Sequence, residues 1–339
     1  MSEELADLRQ ALQTYCRGRF LGMSGRVVEL ERISDGWEND VYTFALEGGA
    51  EASRSELILR MYPGEGAEAT SSREYRVLRW LQEASYPVPR VLAFEASDSP
   101  LGKPFVIMQK IDGRVLGPMM GEATGERREA LVGLLCRLLV QLHTLDWHTF
   151  VPDPSAYEAP GFIGRWLGQV RTVLGRFPGS GFEEAFGWIE EQAAGVGEAR
   201  LALAHWDFHP HNILLRGDGA PFVIDWTSAE VTDYRFDLAW TLLLMGSYQG
   251  AAMRGAVLSG YEQAAGRRVE HLEFFEAFAS LRRLFSIVVS LSLGPEKLGM
   301  RPGAERQIGD ARHIERVYAL LQRTTGLTVA PVEALLARL

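Results

Sequence analysis

Cysteine is scarce in this chain: only Cys16 and Cys136 occur among its 339 residues. Both lie in helix-like segments with apolar neighbours, so no structural disulfide is expected, and a reducing compartment fits better. An excess of basic residues is also lacking, because 35 Lys and Arg stand against 44 Asp and Glu, giving a net charge of -9. An acidic chain gains little from phosphate electrostatics, which argues against a nucleic-acid partner.

Long apolar runs are absent as well, and no stretch is apolar for long enough to cross a bilayer. The first twenty residues contain Glu3, Glu4, Asp7 and Arg9, and they lack the basic region and the unbroken apolar run of a signal peptide. We therefore expect no membrane partner and a cytoplasmic protein. Hydrophobic residues at 47% and charged residues at 23% are ordinary for a globular protein.

The length exceeds what one compact core usually holds, so two lobes are expected. After an amphipathic first helix, the first third contains short apolar runs separated by turn signals, and these predict an antiparallel sheet. Alternation in residues 57–61 predicts that Leu57, Leu59 and Met61 share one face and that Arg60 lies on the other. A helix over 71–83, with Ser72 as its N-cap, interrupts the strands.

The rest of the chain is mostly helical. A leucine stripe over 131–145 predicts one helix, and further helices are expected near 164–174, 183–194, 238–247, 255–265, 271–293, 305–323 and 332–339. One strand pair, 213–215 and 222–224, is joined by a glycine turn. The sequence predicts an α+β, two-lobed chain, with an antiparallel-sheet N-terminal lobe over 1–111 and a mainly helical C-terminal lobe over 112–339.

Three polar residues stand in apolar surroundings between 203 and 244. Asp207 and Asn212 bracket a turn in a D-x-x-x-x-N pattern, and Asp225 ends an apolar strand directly after the hairpin. An amide oxygen and a carboxylate are the ligands that Mg²⁺ prefers. A second carboxylate near an acceptor hydroxyl could orient it or accept its proton. These residue types therefore point to phosphoryl transfer.

The stretch H-W-D-F-H-P-H-N-I-L-L, followed by V-I-D-W and D-L-A-W, resembles the aminoglycoside phosphotransferase and choline kinase-like family of small-molecule kinases, which has a protein-kinase-like fold. The resemblance implies that Asp207 is the catalytic base and that Asn212 and Asp225 hold Mg²⁺. It implies that His205 helps to hold the catalytic loop. Asp237 would brace that loop through its backbone N–H groups while capping the following helix.

The resemblance also implies a nucleotide site in the N-terminal lobe, for ATP or GTP. Arg60 stands where the family has a cation for the phosphates, and Glu74 would be its partner. The phosphate loop would lie over residues 33–42, with Gly36 and Asn39 at its tip. The hinge for the purine would be formed by residues 108–111, which include Met108 and Lys110.

Only a short segment separates Asp225 from Asp237, which leaves no room for the peptide platform of protein kinases. A small hydroxylated acceptor is therefore expected: aminoglycoside-like, choline-like, a sugar or an acyl compound. Two alternatives stay open at this point. One is a nucleotide-binding pseudokinase without turnover, and the other is a metal-dependent hydrolase that uses His205, His209 and His211.

Overall fold

The computed structural model describes residues 3–20, 26–33, 39–48, 54–298 and 310–339. They form two compact units. The first contains the described part of 1–114 together with Ile213–Thr227, and the second contains Val115–Asn212 and the described part of 228–339. The hairpin after residue 212 thus belongs with the first unit, whereas a single division between 111 and 112 would leave it with the helices.

The predicted strands and helices occur in the expected order, and three short strands, Gly113–Val115, Leu201–Ala204 and Glu230–Asp233, occur in addition. The strands are β1 (Arg26–Ile33), β2 (Asp40–Glu47), β3 (Ser55–Met61), β4 (Val91–Glu95), β5 (Phe105–Gln109), β6 (Gly113–Val115), β7 (Leu201–Ala204), β8 (Ile213–Arg216), β9 (Pro221–Val223) and β10 (Glu230–Asp233). The α-helices are α1 (Glu3–Arg19), α2 (Ala67–Glu83), α3 (Leu116–Glu122), α4 (Gly125–His143), α5 (Ser155–Glu158), α6 (Phe162–Leu174), α7 (Glu183–Ala193), α8 (Tyr234–Gln249), α9 (Ala251–Ala265), α10 (Leu272–Leu293), α11 (Ala311–Thr325) and α12 (Ala330–Leu336).

The first unit is built on an antiparallel sheet of five strands in the order β1-β2-β3-β5-β4. Leu12 and Cys16 of α1 pack on one face of this sheet, in a core that also contains Leu57, Leu59 and Met61. Successive side chains of a strand point to opposite faces, so Arg60 lies on the face away from α1. The predicted sheet and the alternation of buried side chains in β3 are confirmed. This alternation places Arg60 on the face away from the apolar core.

Helix α2 begins earlier than predicted. Its N-cap is Gly66, whose φ of 83° is in the left-handed region, and Ser72 lies within the helix. Ser72 as the N-cap was wrong because the glycine turn after β3 already starts the helix at Ala67. The longer helix still presents Glu74 on its buried face.

The hairpin of β8 and β9 pairs antiparallel, with Ile213 opposite Val223, and it joins β6 in a three-stranded sheet in the order β6-β8-β9. The N–H of Val223 also donates to the carbonyl of Pro87 at 2.8 Å. The hairpin is therefore tied into the first unit by backbone hydrogen bonds, and it ends directly before Asp225.

The second unit is mainly helical, with α8 against α9 and α10, and α10 against α11. One antiparallel strand pair, β7 with β10, joins residues that are far apart in the chain: Ala204 lies opposite Glu230, and Leu201 opposite Asp233. Asp233 caps α8 by accepting the N–H of Arg235 at 3.0 Å. Asp237 lies in the first turn of the helix, so the expected cap was wrong by one helical turn. Within the described ranges, no helix has the length and apolarity needed to span a membrane.

Candidate active site

An ion-pair network surrounds Arg60 in the first unit. Its Nη1 lies 2.5 Å from Oε1 of Glu74, and its Nη2 lies 2.7 Å from Oδ1 of Asp225. Glu74 is 1% exposed and also accepts a hydrogen bond from the hydroxyl of Tyr62. Burial disfavours the charged guanidinium, but the two carboxylates outweigh it, so the pKa of Arg60 lies well above its usual value. The structure thus unites three of the predicted residues around a permanent cation.

Asp225 holds an unusual backbone conformation. Its φ is 71°, in the left-handed region that residues other than glycine seldom occupy. The next residue, Trp226, is fully buried; its indole donates to the carbonyl of Val223 at 3.0 Å, and its ring meets Tyr86 edge to face. This anchoring fixes the chain on both sides of Asp225. The Asp225 side chain itself is 38% exposed and therefore within reach of a ligand.

The loop between β7 and β8 is held by one buried carboxylate in the second unit. Asp237 accepts the N–H of His205 and the N–H of Trp206, both at 2.8 Å, and its Oδ2 lies 3.2 Å from Nε2 of His143. The N–H of Asp207 donates to Nδ1 of His205 at 3.3 Å. Because Asp237 and His205 are both fully buried, these contacts fix the backbone directly before Asp207.

Asp207 itself is polarised by three neighbours. Nε1 of Trp240 donates to its Oδ1 at 2.9 Å, Nε2 of His209 lies 3.4 Å from its Oδ2, and Nδ2 of Asn212 lies 3.4 Å from the same oxygen. Burial raises the pKa of this carboxyl, but the hydrogen bonds and charges of His209 and Trp240 outweigh burial, so its pKa lies below the ordinary value. The carboxylate is therefore ionised at neutral pH.

Close packing orders the remainder of the loop. The Nδ2 group of Asn212 donates to the backbone carbonyl of Asp207 at 3.0 Å, which leaves the amide oxygen as the acceptor atom of this side chain. The ring of His211 lies against Gly117, where an added Cβ would meet Cε1 at 2.6 Å. Burial and the neighbouring His209 lower the pKa of His211, so this ring is neutral at neutral pH.

The other residues expected at the nucleotide site lie in the first unit. Asn39 is buried directly before β2, and Gly36 lies outside the described residues. Met108 is a buried residue of β5 opposite Ile58. Lys110 donates its backbone N–H to the carbonyl of Glu56 at 3.1 Å, and its ammonium pairs with the Glu56 carboxylate at 2.7 Å. The N–H of Lys110 is therefore used within the sheet.

Several contacts of the site were missed by the sequence reasoning. Tyr62 is two residues after Arg60, and this spacing could have predicted that both lie on the same face. Trp240 is three residues after Asp237 in α8, where helical spacing brings it to the same side. His143 and Arg282 belong to other helices, and nothing in the local sequence connects them with the loop.

Donor chemistry limits what the site can hold. The amide oxygen of Asn212 and the carboxylate of Asp225 are each a kind of donor that Mg²⁺ accepts, since this ion takes oxygen ligands and keeps much of its shell for water and phosphate. Among the residues that the structure describes, no group of three or more His, Cys, Asp or Glu is arranged to hold a metal ion. The histidines of the loop instead contact Asp207 and Gly117.

Comparisons with known proteins give a consistent result. The model of the phosphotransferase enzyme family matches residues 29–272. A provisionally assigned aminoglycoside phosphotransferase from Ralstonia eutropha JMP134 has a similar structure, with a TM-score of 0.66 at 18% identity over 97% of this chain and 98% of that one. The choline kinase LicA from Streptococcus pneumoniae has a TM-score of 0.60 at 14% identity, over 97% and 99%. These likenesses confirm the two-lobed, kinase-like α+β fold.

The curated relatives that this chain matches are named as acyl-CoA dehydrogenase family proteins. Mouse acyl-CoA dehydrogenase family member 10 is 26% identical over 246 residues, which are 69% of this chain and 22% of that protein. The chain spans about a quarter of the length of the curated relatives that it matches. The match thus concerns a part of these proteins.

Proposed function

Because the chain belongs to the phosphotransferase enzyme family, we propose that it moves the γ-phosphate of ATP or GTP to a hydroxyl group of a small molecule. The observation that carries this proposal is Asp207, an ionised carboxylate at the end of a braced loop, with a side chain that is 41% exposed. Such a group can accept a hydrogen bond from an acceptor hydroxyl and hold its oxygen in line for transfer.

The low pKa of Asp207 supports an orienting role in the reaction. A carboxylate that binds protons weakly is a poor base for an alcohol before transfer begins. We propose that Asp207 orients the hydroxyl and takes its proton as the bond to phosphorus forms, when the hydroxyl becomes strongly acidic. Trp240 and Asn212 hold its two oxygens, so that its direction is fixed before the acceptor arrives.

The nucleotide would be bound through side-chain cations and oxygens. We propose Asn212 and Asp225 as Mg²⁺ ligands, on the basis of the family resemblance and of the donor atoms that each side chain offers. Bound Mg²⁺ would neutralise charge on the nucleotide phosphates. Arg60, held by Glu74 and Asp225, would bind the phosphates with its guanidinium. The roles of Gly36, Asn39 and Met108 stay predictions. Lys110 would contact a purine through its backbone carbonyl, because its backbone N–H already donates to the carbonyl of Glu56.

A small acceptor is favoured by the length of chain after Asp225. Only the short strand β10 and its flanking residues lie between Asp225 and Asp237, so no segment is available there for a peptide platform. We propose a phosphotransferase and not a dehydrogenase, because the match covers only 22% of the mouse acyl-CoA dehydrogenase family member and the fold is kinase-like.

The test is nucleoside diphosphate release with ATP and with GTP, across hydroxylated amines, aminoglycosides, sugars and hydroxyacyl compounds. Wild type should release diphosphate only with Mg²⁺ and an acceptor. Asp207→Asn should keep nucleotide affinity and lose at least about 100-fold in turnover, the usual contribution of a positioned proton acceptor. Tight binding of the Mg²⁺-nucleotide without diphosphate release in the presence of any acceptor would instead favour a pseudokinase. This alternative is motivated by Arg60 and its ion pair with Asp225.

A further inference from the structure

Arg282 of α10 lies beside the proposed catalytic loop in the second unit. Its Nη1 donates to the carbonyl of Trp206 at 3.0 Å. Its guanidinium carbon lies 4.1 Å from the ring centre of Trp240 and 5.0 Å from that of Trp206. The same Trp240 indole donates to Asp207 at 2.9 Å, so Arg282 and Asp207 contact one indole.

Arg282 differs from Arg235 and Arg254 of this unit, which are paired with carboxylates. Arg235 forms two hydrogen bonds with Asp233, at 2.9 and 2.7 Å, and Arg254 forms two with Glu276, both at 2.7 Å. No carboxylate in the described part of the chain lies within ion-pair distance of Arg282. Its Nε and Nη2 have no hydrogen-bond acceptor there either, although the side chain is only partly exposed.

A second donor without an acceptor occurs at the same position. The indole Nε1 of Trp206 is buried, and no described residue accepts its hydrogen bond. Trp206 is 5% exposed, so this N–H is not simply turned to bulk water. Burial lowers the pKa of Arg282, and the Asp207 carboxylate only partly offsets it. A cation kept in such surroundings without an ion pair costs stability, which is typical of a binding site rather than of a structural role.

We propose that Arg282 binds an anionic group, a carboxylate or a phosphate, of the acceptor whose hydroxyl is held by Asp207. This inference rests on the proposed function and adds the chemical class of the substrate. The free edge of a guanidinium matches the two oxygens of such a group. The stacking on Trp240 and Trp206 fixes the plane of that edge.

The geometry limits the acceptor in two ways. Since Asp207 and Arg282 contact one indole, the hydroxyl and the anionic group are only a few carbon atoms apart. A positively charged amine at this position would be repelled by Arg282 and would leave its free N–H groups unbonded. The acceptor is therefore a small hydroxy acid or hydroxyalkyl phosphate, in contrast to a cationic alcohol such as choline.

The experiment uses four compounds that share a diol and differ in charge: glycerol, glycerate, glycerol 3-phosphate and 3-amino-1,2-propanediol. Binding to the full chain is measured at constant ionic strength by intrinsic tryptophan fluorescence, to which Trp206 and Trp240 contribute, with thermal melting as a second readout. Wild type should bind one or both anions about 10- to 100-fold more tightly than glycerol, and the amine most weakly. Comparison of glycerate with glycerol 3-phosphate distinguishes a carboxylate from a phosphate.

Arg282→Gln should weaken binding of the preferred anion about 10- to 100-fold, to the level of glycerol, and leave Mg²⁺-nucleotide affinity unchanged. Arg282→Lys keeps the positive charge but lacks the planar guanidinium, so it should retain part of the preference for the anions. Arg283→Gln is the matched control, because Arg283 is the next residue of α10 but bonds to His313 and Tyr248 instead; it should bind like wild type.

Equal binding of glycerol and both anions by wild type, or an unchanged preference in Arg282→Gln, overturns the inference. Loss of binding to all four compounds together in Arg282→Gln also overturns it, since that result indicates a structural role through the Trp206 carbonyl. The proposed function fails differently: diphosphate release would be absent with every compound while the anion preference of wild type persisted.

Discussion

Replacing Asp237 by alanine should destabilise the second unit and disorder the loop that carries Asp207. The carboxylate of Asp237 is fully buried and accepts the N–H groups of His205 and Trp206, each at 2.8 Å. Alanine offers no acceptor, and the surroundings admit little water. Both N–H groups would then be buried without a partner.

The magnitude follows from these two bonds. A buried donor without an acceptor costs about 1–3 kcal/mol, so two cost about 2–6 kcal/mol. Removal of the buried charge offsets part of this loss of stability, because the carboxylate no longer has to be desolvated on folding. We therefore expect a loss of about 3 kcal/mol, which lowers the melting temperature of a unit of this size by about 6–12 °C. Asp237→Asn keeps one acceptor oxygen and should lose about half as much.

The assay is thermal unfolding followed by tryptophan fluorescence, since Trp206 and Trp240 lie at the loop. Asp218→Ala is the control: the residue type is the same, but Asp218 is exposed in the β8–β9 turn and pairs only with Arg216 and the nearby backbone. It should shift the melting temperature by no more than about 4 °C. If Asp237→Ala melted within this control range, the carboxylate could not be the support of the loop, and the reasoning would be refuted.

Three further predictions concern the network and the packing of the site. Arg60→Gln leaves the buried Glu74 without its cation and should lower the free energy of unfolding in urea by about 3–5 kcal/mol. A loss below about 1 kcal/mol would show that the Arg60–Glu74 ion pair does not stabilise the fold. Gly117→Ala drives a methyl group into the His211 ring and should cost about 1–3 kcal/mol, with reduced turnover, whereas unchanged stability and turnover would show that the ring can move aside. Asp225→Ala should weaken nucleotide binding with Mg²⁺ far more than without it in calorimetric titrations, and equal effects would remove its metal role.

Local patterns were enough to predict most of the fold. The alternation of apolar residues in β3 and the turn between β8 and β9 are properties of neighbouring residues, so the sequence reveals them directly. The pairing of β7 with β10 was missed because it joins residues about thirty positions apart, and four-residue strands carry little periodicity. The start of α8 was missed for the same reason: Asp233 is both the end of β10 and the cap, and only the strand pairing makes this evident.

The candidate site likewise contains residues that a local motif indicates and residues that only the tertiary structure reveals. Asp207, Asn212 and Asp225 could be predicted because their spacing along one short segment resembles a known motif. Trp240 is connected with the loop only through its helical spacing from Asp237, and Arg282 could not be predicted, since it reaches the loop from a helix whose packing is a tertiary property. Both are bulky side chains at positions that otherwise read as ordinary helix surface or core. Residues that contact the loop from distant helices are therefore the ones that need the structure.

Two tryptophans explain how the strained backbone of the site is maintained. Trp206 and Asp225 both have positive φ, at 65° and 71°, and such conformations cost about 1–3 kcal/mol each. Trp206 is itself nearly buried, and Trp226 is fully buried directly after Asp225. Burying an indole of about 150–250 Å² contributes about 4–6 kcal/mol as an upper estimate, which exceeds the strain at either position. Because a smaller side chain would bury less, we infer that each tryptophan offsets the strain that directs the neighbouring Asp207 or Asp225 carboxylate.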